Sequence, residues 1–242
     1  MSKLADKIRK VTRTTPQALG FGATTAAPEP TMVLAAIAKD ASAASDLAKR
    51  GADVVIVGSS GSPAPTSNAP SLGDAFSGAW AAGKTDDEAK AYREAGYDFV
   101  VFDPNTTSAT ALFDQKTGYV MALPADITDN EVRTLESFQL DAIHIGALDG
   151  PLTVRRQIDL RRIYAMTRKP LMATVKAALG AAELQALRDT NVIVIAVEGG
   201  ENIERLRKAI DALPPRSRRK DDDRPTPLVP RTVGAGDEGE EE

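Results

Sequence analysis

The sequence predicts an α/β protein closed as a (β/α)8 barrel, and three observations lead there. Eight short apolar runs alternate along the chain with polar, helix-favouring stretches. Most of these runs are β-branched or apolar throughout, as strands covered on both faces require. Glycines such as Gly51 and Gly96 end helical stretches directly before a strand. With 242 residues, 42% of them hydrophobic and 26% charged, the chain can bury the core of one such barrel.

The expected strands are 18–22, 32–38, 53–58, 99–103, 119–123, 142–148, 171–176 and 192–198. Between them lie expected helices at 41–50, 86–95, 107–115, 129–139, 153–166, 181–189 and 202–213. The last is the most clearly amphipathic: Ile203, Leu206, Ile210 and Leu213 share a face, while Glu204, Arg205 and Lys208 point elsewhere. Residues 1–13 are basic, with Leu4, Ile8 and Val11 at helical spacing, which predicts a capping helix on the barrel floor and not a secretory signal.

Two segments break the alternation, so the domain organisation reads as a barrel over 1–215 followed by a tail. Residues 59–83 are rich in Gly, Ser, Pro and Ala and contain Phe76 and Trp80 in a run of helical character. They are expected as an insertion over the mouth, either a lid or a tolerated surface loop. Residues 216–242 run from RSRRK through DDDR and PTPLVPR to GDEGEEE, a charged, Pro-rich composition expected of a disordered tail.

Composition excludes several functions. A net charge of -4 with interspersed cations gives no field for a phosphate backbone, so nucleic acid is not an expected partner. The chain has no cysteine and one histidine, His144, which removes thiolate chemistry and all but removes a zinc site. No apolar run has the length of a membrane span, and a cytoplasmic protein is the default expectation.

Candidate chemistry collects at the C-terminal ends of the strands, where barrels place their sites. Asp103, Lys176 and Glu198 end three of the runs in phase with inward-facing positions, and Lys39 sits just past the end of a fourth, 32–38. In a dry mouth Lys176 would serve as a base or a Schiff-base amine; in a wet one it is an ion-paired surface residue. Asp103 and Glu198 read as an acid/base pair or as magnesium ligands beside a substrate phosphate, and equally as counter-charges to the lysines. His144, mid-strand between isoleucines, reads as a hydrogen-bonded core residue. Arg155, Arg156, Arg161 and Arg162 share one helix with acids nearby and read as a solvated face, with contact to an acidic tail of a neighbouring copy as the alternative. GSSGS after 53–58 lacks the lysine of a P-loop.

EGGEN, Glu198 to Asn202, is the sharpest local pattern. Gly199 and Gly200 let a ligand approach the backbone, and amides at the helix start beside Asn202 favour an anion; a tight turn without ligand needs the same glycines. With the strand order and the closing ALPPR, this turn resembles the phosphate-binding branch of the (β/α)8 (TIM) barrels over residues 18–214. YDFVVFDP, LDAIHIGALDGPLTVRRQIDLRRIYAMTRKPLM and ELQALRDTNVIVIAVEG resemble bacterial barrel proteins that bring no activity with them. The resemblance implies a fold and leaves the chemistry open.

Three functions follow as expectations. One is an enzyme on a small phosphorylated or carboxylated metabolite, with catalytic Lys176, Asp103 and Glu198, and Lys39, Gly199, Gly200 and Asn202 binding it. The second is a non-catalytic assembly module, a homo-oligomer or a protein with a tail-bound partner. The third is an oxidoreductase holding flavin mononucleotide, as several phosphate-binding barrels do. The sequence does not fix a cofactor.

Overall fold

A computed structural model describes residues 2–13, 30–81, 85–114, 116–176 and 179–215. The expected strand at 18–22 and the tail at 216–242 lie outside them. Eight parallel strands close into a barrel in chain order: β1 (Val33–Ala38), β2 (Val54–Val57), β3 (Phe76–Trp80), β4 (Phe99–Phe102), β5 (Gly118–Ala122), β6 (Ala142–Leu148), β7 (Leu171–Val175) and β8 (Val192–Glu198). The ring closes by pairing β1 with β8, from Val33↔Val194 to Ile37↔Glu198, so it needs no strand at 18–22.

The eighth member is β3, inside the segment expected as an insertion. FSGAW has no β-branched residue to mark it, but its glycine is demanded by packing. A Cβ on Gly78 would lie 2.2 Å from Cζ of Phe99, whose ring fills the barrel interior there. Residues 58–75 take the place of a helix between β2 and β3. They bend at the mouth, where Ser59 and Ser62 exchange backbone hydrogen bonds of 2.7 and 3.0 Å, and then run along the outside of the barrel. Ala64 N–H donates to the Trp80 carbonyl, and Ala69 N–H to that of Ala95.

Seven α-helices are described: α1 (Lys3–Thr12), α2 (Ala41–Lys49), α3 (Asp86–Glu94), α4 (Asp129–Thr134), α5 (Val154–Thr167), α6 (Ala181–Arg188) and α7 (Ile203–Asp211). Side chains of Ser2, Asp40, Thr85, Thr128 and Thr153 cap the first five. The helix expected at 107–115 is a 3-10 turn, Ala109–Phe113, in a stretch whose Ser and Thr hydroxyls compete for the backbone. The helix expected at 129–139 breaks after Thr134, whose hydroxyl donates to the Glu131 carbonyl, and ends in a 3-10 turn.

Strand residues alternate between two apolar layers. Leu34, Ala36, Val55, Val57, Val100, Phe102 and Ile195 pack against the helices, while Val33, Ala35, Val54, Ile56, Phe99, Val101, Val120 and Val194 fill the interior. The floor of that interior is closed by α1, through buried Leu4, Ile8 and Val11. Three aspartates that immediately precede β2, β4 and β6 hold it there. Asp53 pairs with Lys7 at 2.9 Å, Asp98 accepts from the Lys3 and Leu4 amides, and Asp141 accepts from the Ser2 hydroxyl.

Candidate functional site

At the mouth, β1, β2 and β8 end around a cavity of about 590 Å³ lined by Ile37, Lys39, Asp40, Ser59, Glu198 and Gly199, among others. Lys39 and Glu198 are both exposed, and neither is ion-paired among the described residues. Asp40 is committed to capping α2: the Ser42 hydroxyl and the Ala43 amide donate to it at 2.6 and 2.9 Å and hold its carboxyl below the ordinary range. Two glycines make this corner. Gly58 sits at φ +87°, where a Cβ would lie 2.6 Å from the Ala64 amide nitrogen; Gly199 sits at φ +69°, turning the chain out of β8.

Beyond that turn, Gly200 abuts Arg50, whose Nη1 donates to its carbonyl at 3.4 Å. Asn202 opens α7, but its side chain makes no capping bond, while its carbonyl accepts from Leu206 at 2.9 Å. Lys39, Glu198, Gly199 and Gly200 thus line one cavity, while Asn202, two residues beyond Gly200, is not among its lining residues.

The other two predicted residues are placed differently. Lys176 follows β7 in register with Glu198, but its ammonium pairs with Asp149 at 3.1 Å and is 64% exposed. The dry mouth expected around it is absent. Asp103 follows β4, four strands from β8 in a ring of eight, so it stands across the mouth from Glu198. Its carboxylate accepts the Asn105 amide at 2.9 Å in a local turn. The two acids therefore share no ion, and no group of three metal-ligating side chains exists among the described residues.

Sequence reasoning missed the floor of the mouth. The His144 imidazole shares a 2.9 Å hydrogen bond with the Thr174 hydroxyl and meets the Trp80 ring edge-on, centroids 5.3 Å apart. Burial pushes the imidazole down to about 4, so it is neutral in the fold near pH 7. The core reading of His144 holds. The two-residue alternation of β7, which puts Thr174 in phase with Lys176, is a signal that could have found Thr174; none marks Trp80, because β3 carries no strand pattern.

No family model and no curated protein matches this chain. Solved structures do. A 3-keto-L-gulonate-6-phosphate decarboxylase from Vibrio cholerae superposes with a TM-score of 0.56 at 12% identity, over 76% of this chain and 99% of that one. For a 3-hexulose-6-phosphate synthase from Salmonella typhimurium the values are 0.51 and 14%, over 74% and 97%. Tryptophan synthase from M. tuberculosis gives 0.54 and 12%, over 88% and 98%. At these identities the likeness is one of fold, that of a closed (β/α)8 barrel.

Proposed function

We propose that the chain is an enzyme acting on a small phosphorylated or carboxylated metabolite bound in the cavity between the ends of β1, β2 and β8. The observation that carries this reading is the joint presence there of a cation, Lys39, and a carboxylate, Glu198, neither ion-paired among the described residues, and a glycine turn leading into a helix start. Lys39 and the backbone beside Gly199, Gly200 and Asn202 hold the anion. Glu198 moves a proton on the part of the ligand nearer the barrel axis. Lys176, in register beside it, acts as base or nucleophile when a ligand draws it from Asp149; Asp103 contributes from the far wall. A cavity of this volume suits a small metabolite, and the sugar-phosphate enzymes among the structural neighbours support the same class.

Calorimetry with a panel of phosphorylated and carboxylated metabolites, followed by turnover assays on those that bind, tests the assignment. Lys39→Ala is expected to weaken binding about tenfold, the value of one charge-assisted contact. Glu198→Gln is expected to leave binding nearly unchanged and to lower turnover by about 10²–10⁴. Wild-type affinity and rate in both variants would overturn the reading.

A further inference from the structure

Inward-facing strand residues are apolar through the depth of the barrel and turn polar at its mouth end. There the His144 imidazole and the Thr174 hydroxyl share their 2.9 Å hydrogen bond against the edge of the Trp80 ring. The two residues are 7% and 5% exposed. For the fold alone such a pair gains little, because apolar groups of the same shape would pack as well and leave nothing to satisfy. Its bonding capacity is also only partly used: Nδ1 of the imidazole has no hydrogen-bond partner among the described residues.

The backbone clears the space above the pair. β6 and β7 match His144 with Met172 and then Ala147 with Thr174, so β6 carries one extra residue just after His144. Bulges of this kind occur at barrel rims beside binding sites, where they re-aim a side chain. Two positions past His144, where the next inward side chain would stand, is Gly146 at φ +79°, and a Cβ there would meet nothing within 4 Å. Ala122, level with His144 on β5, is small and half-buried. Ile37 lines the mouth cavity and packs on the same interior cluster as Trp80 and Ala122, so the cavity and the polar pair adjoin. Thr174 is level with Ala196 on β8, which places its Cα one strand over and two residues below Glu198, about 8 Å away.

From this partly used polar pair, the bulge and glycine that open the space above it, and its nearness to Glu198, we infer that His144 and Thr174 determine specificity: they read an uncharged hydroxyl or carbonyl oxygen on the ligand whose anion lies against Lys39 and Gly199. The inference rests on the function proposed for the mouth and adds what the ligand carries at its other end. Burial keeps the imidazole neutral near pH 7, so the pair offers a donor and an acceptor without charge and disfavours a second anion there.

The chain has one histidine, so every imidazole nitrogen signal in an NMR spectrum belongs to His144. Wild-type protein is titrated with dihydroxyacetone phosphate, D-ribose 5-phosphate and D-glucose 6-phosphate, and with inorganic phosphate, which brings the anion alone. At least one organic phosphate is expected to bind and to move the imidazole signals, while inorganic phosphate leaves them in place. Thr174→Val, which keeps the shape of the side chain, is expected to weaken that organic phosphate about fivefold, the value of one uncharged hydrogen bond, without changing the affinity for inorganic phosphate. Lys39→Ala is expected to weaken both. Organic phosphates that bind without moving the imidazole signals, or that bind Thr174→Val as tightly as wild type, would overturn this inference and leave the mouth reading standing. Failure of all four compounds to bind would remove the anion site and this inference with it.

Discussion

Two residues carry much of what is particular to this barrel, and both act through space. Gly78 is small because Phe99 is large: an added methyl would meet the ring at 2.2 Å. Gly78→Ala is expected to cost about 1–3 kcal/mol in urea unfolding. Because the clash causes the loss, adding Phe99→Leu should make the double variant more stable than the two single effects sum to. His144 is the second. The unfolded chain takes up its imidazole proton near pH 6.5 and the folded chain only near 4, so the unfolded state binds more protons between those values. The contribution is fully present above pH 6.5 and is lost as pH falls toward 4. By pH 4.5 the loss amounts to about 2–3 kcal/mol. His144→Asn should therefore lose less stability than wild type between pH 7 and pH 4.5. Parallel losses in the two proteins would show that burial does not hold the imidazole neutral.

Among the elements, α1 is anchored in a way its own sequence only half discloses. The spacing of Leu4, Ile8 and Val11 predicts a floor helix, and the structure has one. Its anchors are Asp53, Asp98 and Asp141, far apart in the chain and joined only because β2, β4 and β6 begin at the same end of the ring. Asp53 is the most heavily used, accepting from the Leu34 amide at 2.9 Å and pairing with Lys7 and with Arg207 at 3.0 Å. Asp53→Ala leaves Lys7 without its carboxylate and Arg207 with Asp211 alone, and a loss of about 2–3 kcal/mol is expected in urea unfolding. The same change should leave ligand binding at the mouth unaltered. Most strands and five of the seven helices between them were legible because both-face burial leaves unbroken apolar runs and helix faces repeat near 3.6 residues. β3 was not, since Phe, Ser, Gly, Ala and Trp in succession match neither period. The helices at 107–115 and 129–139 were overextended because Ser and Thr hydroxyls redirect the backbone there.

At the scale of the molecule, closure of the ring makes the strands interdependent: each has two neighbours, and β1 and β8 complete the circuit. The single tryptophan, Trp80, lies in the interior against His144, so its fluorescence reports on packing across the barrel. Its urea transition is expected to coincide with that of far-UV circular dichroism. A separate, earlier fluorescence change would mean that β3 detaches before the ring opens.

The amino-acid sequence by itself determined the barrel class, the floor helix and the end of the strands at which polar residues gather. Each of these is written in local periodicity and in the phase of a strand, both properties of neighbouring residues. Tertiary structure alone decided which strand completes the eight, and that Glu198 shares its cavity with Lys39 while Asp103 stands across the mouth and Lys176 is taken by Asp149. Those relations depend on the order of strands around a closed ring, where residues distant in sequence meet and nearer ones are held apart.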